Sequence, residues 1–103
     1  MPGAARTTDA TTNHPPCGPG TCSIGSENVI INGLLAFRVG DKDTPHGVPV
    51  STPGGIVCIP HVTPLAQGSP NVIVNGRPLG RIGDKFSCGI VVASGSGNVI
   101  ING

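Results

Sequence analysis

The chain has 103 residues and a formal net charge of +1, from six Lys and Arg against five Asp and Glu. That length supports one small domain with a modest buried fraction. The lack of any Lys/Arg cluster excludes a nucleic-acid footprint, and no unbroken apolar run exceeds four residues (as in Leu34–Phe37), which excludes a membrane-spanning helix. Large apolar side chains are scarce: Phe37 and Phe86 are the only aromatics, while Gly and Pro number 17 and 11. The composition points to a turn-rich, all-β domain over residues 1–103, with a Val/Ile core in need of a staple.

In chain order, the N-terminal MPGAARTTDA has no apolar segment of a secretory signal, so the protein is expected to be made in the cytoplasm and to leave, if it leaves, by another route. Cys17 and Cys22 flank GPGT and form a candidate small-loop disulfide, with free thiols the favoured expectation for that pair; without a secretory signal, metal binding is the first expectation for the four cysteines as a set. GSENVIING then occupies residues 25–33, GSPNVIVNG 68–76 and GSGNVIING 95–103. Each copy carries a β-branched run that closes on Asn-Gly, the residue pair that favours a tight hairpin turn. Alternation puts Val29 and Ile31 on one face, with Asn28, Ile30 and Asn32 on the other.

The segments after the first two copies also match. Arg38 and Arg81 stand five residues past the turn glycines and lead into Val-Gly-Asp-Lys and Ile-Gly-Asp-Lys. The return strands are expected to run through these arginines. Arg6 and Asp9 repeat the same spacing, so the chain opens with the second half of a unit and closes with the first half of another. Pairing of Asn98–Asn102 with Ala4–Thr8 would complete a third hairpin and a pseudo-threefold object. Successive copies lie 43 and then 27 residues apart, which excludes a solenoid of fixed period. The longer interval holds VPVSTPGG, read as an extra loop.

A metal ligand follows each Arg-x-x-Asp nearly in register: His14 five residues after Asp9, His46 five after Asp41, and Cys88 four after Asp84. His61 is the one remaining histidine. His14, His46, His61 and Cys88 make a donor set suited to four-coordinate Zn²⁺, and metal binding becomes folding free energy in a chain with so small a core. Cys58-x-x-His61 and His14-Pro-Pro-Cys17 are competing ligand pairs. In the recurring Arg–Asp pair the Asp reads as a turn former, with the Arg as its ion-pair partner or a solvated group, in preference to an Asp that accepts from a metal-bound His.

PGAAR near the start, VNGRPLGRIGD followed by CG, DTPHG and the terminal GSGNVIING together resemble the PAAR-repeat proteins over nearly the whole chain. Pro2-Gly3-Ala4-Ala5-Arg6 carries one inserted Gly, Pro78-Leu79-Gly80-Arg81 is the internal version, and Leu35-Ala36-Phe37-Arg38 lacks the Pro. The resemblance implies a small three-sided cone of β-hairpins, with one zinc near its vertex held by three His and one Cys. Those positions match His14, His46, His61 and Cys88. It also implies a seat on a trimeric β-helical spike, either a type VI secretion VgrG spike or a phage central spike. One chain would cap each trimer, monomeric when alone, in transient contact with a target membrane and delivered outward by secretion or on a virion tail tip. Val29, Ile31, Val72, Val74, Val99 and Ile101 are the residues expected to meet the spike. The boundaries resemble those of a stand-alone tip with no toxin domain.

Two other functions compete. A zinc hydrolase would need a general base beside a metal-bound water, yet the sole Glu is Glu27, Asp41 and Asp43 point apart in a short loop, and no nucleophile elbow surrounds any Ser or Cys. A cargo adaptor would share the fold and use the Val48–Gly55 interruption.

Overall fold

A computed structural model describes residues 2–101 and contains six strands and no helix among them. Two hairpins come from the repeat: β1 (Ile30–Ile31) with β2 (Leu34–Leu35), and β5 (Ile73–Val74) with β6 (Arg77–Pro78). Asn32-Gly33 and Asn75-Gly76 turn them, all four at positive φ, as a tight Asn-Gly hairpin turn requires. The third hairpin is closed by the chain ends. Ile101 donates to Pro2 at 2.9 Å, Ala4 donates to Val99 at 2.9 Å, and Gly3 bridges Ile100. Its inner strand is therefore residues 2–4 rather than the expected 4–8; Asn102 lies outside the described residues.

The return strands were expected to continue through Arg38 and Arg81 but leave their hairpins after two pairs. Ala36 bridges Arg6, Arg38 bridges Leu79, and Ala4 bridges Arg81, so each unit crosses onto the next. The crossing closes on itself around an axis: Ala5 N–H donates to Gly80 O, Gly80 N–H to Phe37 O, and Phe37 N–H to Ala5 O, at 2.9, 2.8 and 3.1 Å. Gly80 is required here, because a Cβ would stand 2.7 Å from the Leu65 side chain and 3.0 Å from Phe37 O. Two small cores lie either side of this ring. Ala4, Ile31, Ala36, Val74, Leu79 and Ile101 fill the hairpin end. Ala5, Cys22, Phe37, Leu65, Phe86, Ile90 and Val92 fill the other, where Phe37 and Phe86 are the largest members.

The repeated letters hold the hairpin end together. Ser26, Ser69 and Ser96 are buried, and each hydroxyl accepts from the two backbone amides that start the following strand, such as Asn28 and Val29. The turn asparagines then lock one unit to another. Asn75 accepts from Ser26 Oγ and donates to Asn28 Oδ1, while Asn32 accepts from Ser96 Oγ and donates to Asn98 Oδ1.

Beyond the ring, each Arg-x-x-Asp forms a turn in which the Asp amide donates to the Arg carbonyl. The carboxylate takes a two-pronged guanidinium contact in all three: Arg6–Asp9, Arg38–Asp41 and Arg81–Asp84. The ion-pair expectation for these residues holds, and the hydrogen bond to Asp is the main cause that raises each arginine pKa.

The interruption after His46 is no loop. β3 (His46–Thr52) and β4 (Gly55–His61) form a seven-pair antiparallel ribbon turned by Pro53-Gly54. It leaves the body from the end opposite the short hairpins, in a molecule of 47 × 25 × 22 Å extent.

Candidate metal centre

His46 and His61 are partners in the first pair of the β3–β4 ribbon, on the same face. Their Nε2 atoms lie 2.6 Å apart. Cys88 comes from the tight turn Phe86–Gly89, closed by a 3.0 Å bond from Gly89 N–H to Phe86 O, with Gly89 at φ 95°. Its Sγ is 3.6 Å from His46 Nε2. His14 enters from the N-terminal segment, in the turn whose Cys17 N–H donates to His14 O at 2.8 Å. Its ring centroid lies 5.1 Å from that of His46, tilted, and 5.3 Å from that of His61, edge-on. The fold thus brings together all four residues expected as ligands, and their donor atoms lie within 4.8 Å of one another.

The donor chemistry fits a metal ion. His14 Nε2 is shielded from solvent and has no hydrogen-bond partner, a state that costs free energy unless another group satisfies the nitrogen. Three imidazoles and a thiol match a tetrahedral nitrogen–sulfur site, and bonds of about 2.1 Å to nitrogen and about 2.3 Å to sulfur imply a nitrogen–sulfur edge of roughly 3.6 Å. The Cys88–His46 separation of 3.6 Å meets that edge; the His46–His61 pair at 2.6 Å must spread by somewhat under ~1 Å to do the same.

Sequence reasoning missed the residues that hold the ligands. Asp43 Oδ2 lies 3.0 Å from His46 Nδ1, with both side chains fully buried and the carboxylate outside hydrogen-bond geometry. A carboxylate beside Nδ1 favours the tautomer that leaves Nε2 free for a metal. Thr63 fixes Asp43 in turn, through its amide at 2.9 Å and its hydroxyl at 3.2 Å, and that hydroxyl also contacts Cys88 Sγ at 3.3 Å. Asp43 stands three residues before His46, a signal available in the sequence but obscured by the Arg–Asp pattern around Asp41.

Of the pair expected as free thiols, Cys17 departs from that expectation and Cys22 meets it. Cys17 is bonded to Cys58, not to Cys22, which removes both Cys17 and Cys58 as competing ligands. Cys22 is a free, buried thiol. Burial, followed by the charges of Asp9, Asp43 and Asp41, pushes its pKa up to about 12.

Among the residues expected to meet a partner, Ile31, Val74 and Ile101 are buried in the chain's own lower core, Val29 and Val72 are half-buried against it, and Val99 is partly exposed. Alternation turns the neighbouring isoleucines outward instead: Ile30, Ile73 and Ile100 are 54, 55 and 45% exposed. Glu27 and Asp41 line a side groove of about 450 Å³ with Ile24, Arg38, Asn75 and Arg77. There Arg38 and Arg77 both contact Asp41.

A family model described as PAAR motif matches residues 43–94, a span that includes Asp43, His46, His61 and Cys88. No curated protein matches the chain.

Proposed function

Because the chain belongs to the PAAR-motif family, we propose that it caps the threefold end of a trimeric β-helical spike in a contractile injection machine, one chain per trimer, and hardens the tip of that spike with a single zinc ion. The observation that carries this reading is the closed ring of backbone hydrogen bonds through Ala5, Phe37 and Gly80. Through it, one chain presents three equivalent hairpins about one axis. That is the symmetry a single subunit needs in order to sit on a trimer. Ile30, Ile73 and Ile100 give this end three related apolar contacts.

His14, His46, His61 and Cys88 would hold the zinc at the other end. The ion supplies a crosslink between segments far apart in sequence, which stabilises a tip that has little apolar core. Asp43 orients His46, and Thr63 orients Asp43. In this reading the protein is made in the cytoplasm, loaded on the spike and delivered outward, where the vertex meets the target membrane. A structural role follows from a four-donor site that leaves no position for a reacting water.

The β3–β4 ribbon favours a second reading, in which the same tip also carries cargo, because Val50, Ile56, Val57 and Ile59 stand exposed on it. Elemental analysis of protein purified without added metal tests the zinc centre: about one zinc per chain is expected, and Cys88→Ala should lose or weaken it. Sedimentation of the protein with a purified spike trimer tests the seat. A complex of one chain per three spike subunits is expected, and a stable homotrimer of the free chain would overturn the proposal.

A further inference from the structure

We propose that the Cys17–Cys58 disulfide is a positioning element of the metal centre, which presets His14 against His61 and thereby links metal affinity to the thiol state of the protein. The inference rests on the metal-centre reading above.

The disulfide joins two ligand-bearing segments with the same spacing in opposite directions: His14 stands three residues before Cys17, and His61 three residues after Cys58. His46 and His61 are already paired across the ribbon, and Cys88 is anchored by the Phe86–Ile90 turn against the core that holds Phe37 and Phe86. His14 belongs instead to the irregular segment 12–19, which has no ladder of its own. Two contacts hold the His14 turn internally: Cys17 N–H donates to His14 O, and Asn13 Nδ2 donates to Cys17 O. The disulfide ties that turn to β4. A metal bound between His14 and His61 would close a ring running from His14 to Cys17, across the sulfurs to Cys58, and along β4 to His61.

The fold reserves space for this bond. Gly47 follows His46, and a Cβ there would stand 2.8 Å from Cys58 Cβ and 3.0 Å from Cys17 Cβ. The disulfide therefore fills the place of a side chain on the ribbon face behind His46. Cys17 is buried while Cys58 is exposed, so a small disulfide oxidant such as glutathione disulfide meets Cys58 first. The Cys58 thiolate attacks one sulfur of the oxidant, forms a mixed disulfide and releases one glutathione thiolate. The Cys17 thiolate then displaces the second glutathione. The protein gives up two electrons and two protons, and the oxidant becomes two glutathione thiols. In a reducing compartment the reverse exchange leaves His14 held by its local turn and by the Thr12–Val91 and Thr11–Gly20 bonds that flank the segment, with no tie to β4.

The test is zinc affinity, measured by competition with a chromophoric chelator, for oxidised wild type and for Cys17→Ala/Cys58→Ala, with His14→Ala made in both backgrounds. Thiol titration of the denatured chain first establishes the state: two reactive thiols, from Cys22 and Cys88, are expected after oxidation. Oxidised wild type should bind zinc roughly 10–100-fold more tightly than the double-alanine variant, the range seen when a ligand's supporting contacts are removed. His14→Ala should cost less affinity in the double-alanine background than in wild type. Cobalt substitution supplies a readout of coordination, with tetrahedral visible bands weaker in the double-alanine variant. Equal affinities, additive His14 effects or four reactive thiols after oxidation would each overturn the proposal. Failure of every form to bind zinc would overturn the metal centre itself. The double-alanine chain retains Gly47, the ribbon and both cores, so its folding can be checked by its Tm with and without zinc.

Discussion

Each repeated turn sets one residue at positive φ, and two of the three are glycine: Gly40 at 90° and Gly83 at 93°, against Thr8 at 71°. A β-branched residue in that region is strained by roughly 1–2 kcal/mol, because its Cβ crowds the following carbonyl. Thr8 is exposed and its amide bond to Cys22 O involves backbone alone. Thr8→Gly should therefore stabilise the protein by about 0.5–1 kcal/mol after the extra unfolded-state entropy of glycine is deducted, a rise in Tm of roughly 2–6 °C. A lowered Tm would show that the Thr8 side chain contributes more than its strain costs. Cys22 gives a second single-residue test. Its pKa rises from 9.0 to about 12 on folding, so the folded state holds the thiol proton more tightly. The associated stability is complete below pH 9 and declines by about 1.4 kcal/mol per pH unit as pH rises toward 12. Urea unfolding at pH 8 and pH 10 should show a steeper loss for wild type than for Cys22→Ala; parallel losses would mean that Cys22 ionises as readily folded as unfolded.

At the scale of elements, the hairpins were legible because Val-Ile-Ile-Asn-Gly states both a strand and its turn. Their length was not, since the crossing of Ala36–Arg38 onto neighbouring units depends on pairings distant in sequence. The β3–β4 ribbon was obscured by Pro49, Pro60 and Gly55, which weaken a strand pattern. The register resolves the conflict. With Thr52 opposite Gly55 across a two-residue turn, the pairs that exchange hydrogen bonds are 52/55, 50/57, 48/59 and 46/61, and the donors of 49 and 60 face out of the ribbon. The prolines thus remove no internal bond. Each deletes one donor from an open edge, the usual guard against strand addition. The guard is needed because no charged residue lies between Asp43 and Arg77. Pro49→Thr/Pro60→Thr should keep the ribbon intact and restore both edge donors. Sedimentation velocity should then show concentration-dependent association that wild type lacks; concentration-independent sedimentation of the variant would remove the edge-guarding role.

Across the whole molecule, three of the four candidate ligands were legible because the Arg-x-x-Asp repeat counts off His14, His46 and Cys88, while His61, on the ribbon, was reached only as the remaining histidine. The disulfide was not, since its partner lies on a ribbon that the repeat does not contain, 41 residues away. The same counting bears on the hairpin end, where the proposed function seats a spike. Ser26 and Ser96, each bonded to the turn asparagine of another unit, fix the three hairpins against one another, and the inward faces at Ile31, Val74 and Ile101 are committed to the core. What remains for a partner is the outward set Ile30, Ile73 and Ile100. Three exposed apolar side chains at equivalent positions suit a threefold partner with one apolar recess per subunit. Ile30→Asp/Ile73→Asp/Ile100→Asp should shift Tm by no more than roughly 6–12 °C, because surface substitutions usually stay within about 0.5 kcal/mol each. The same triple variant should lose its complex with a spike trimer, while each single change weakens it partially and to a similar degree. One change accounting for the whole loss would place the partner on one flank and break the threefold reading. Full binding by the triple variant, with Tm in that range, would move the seat off this surface altogether.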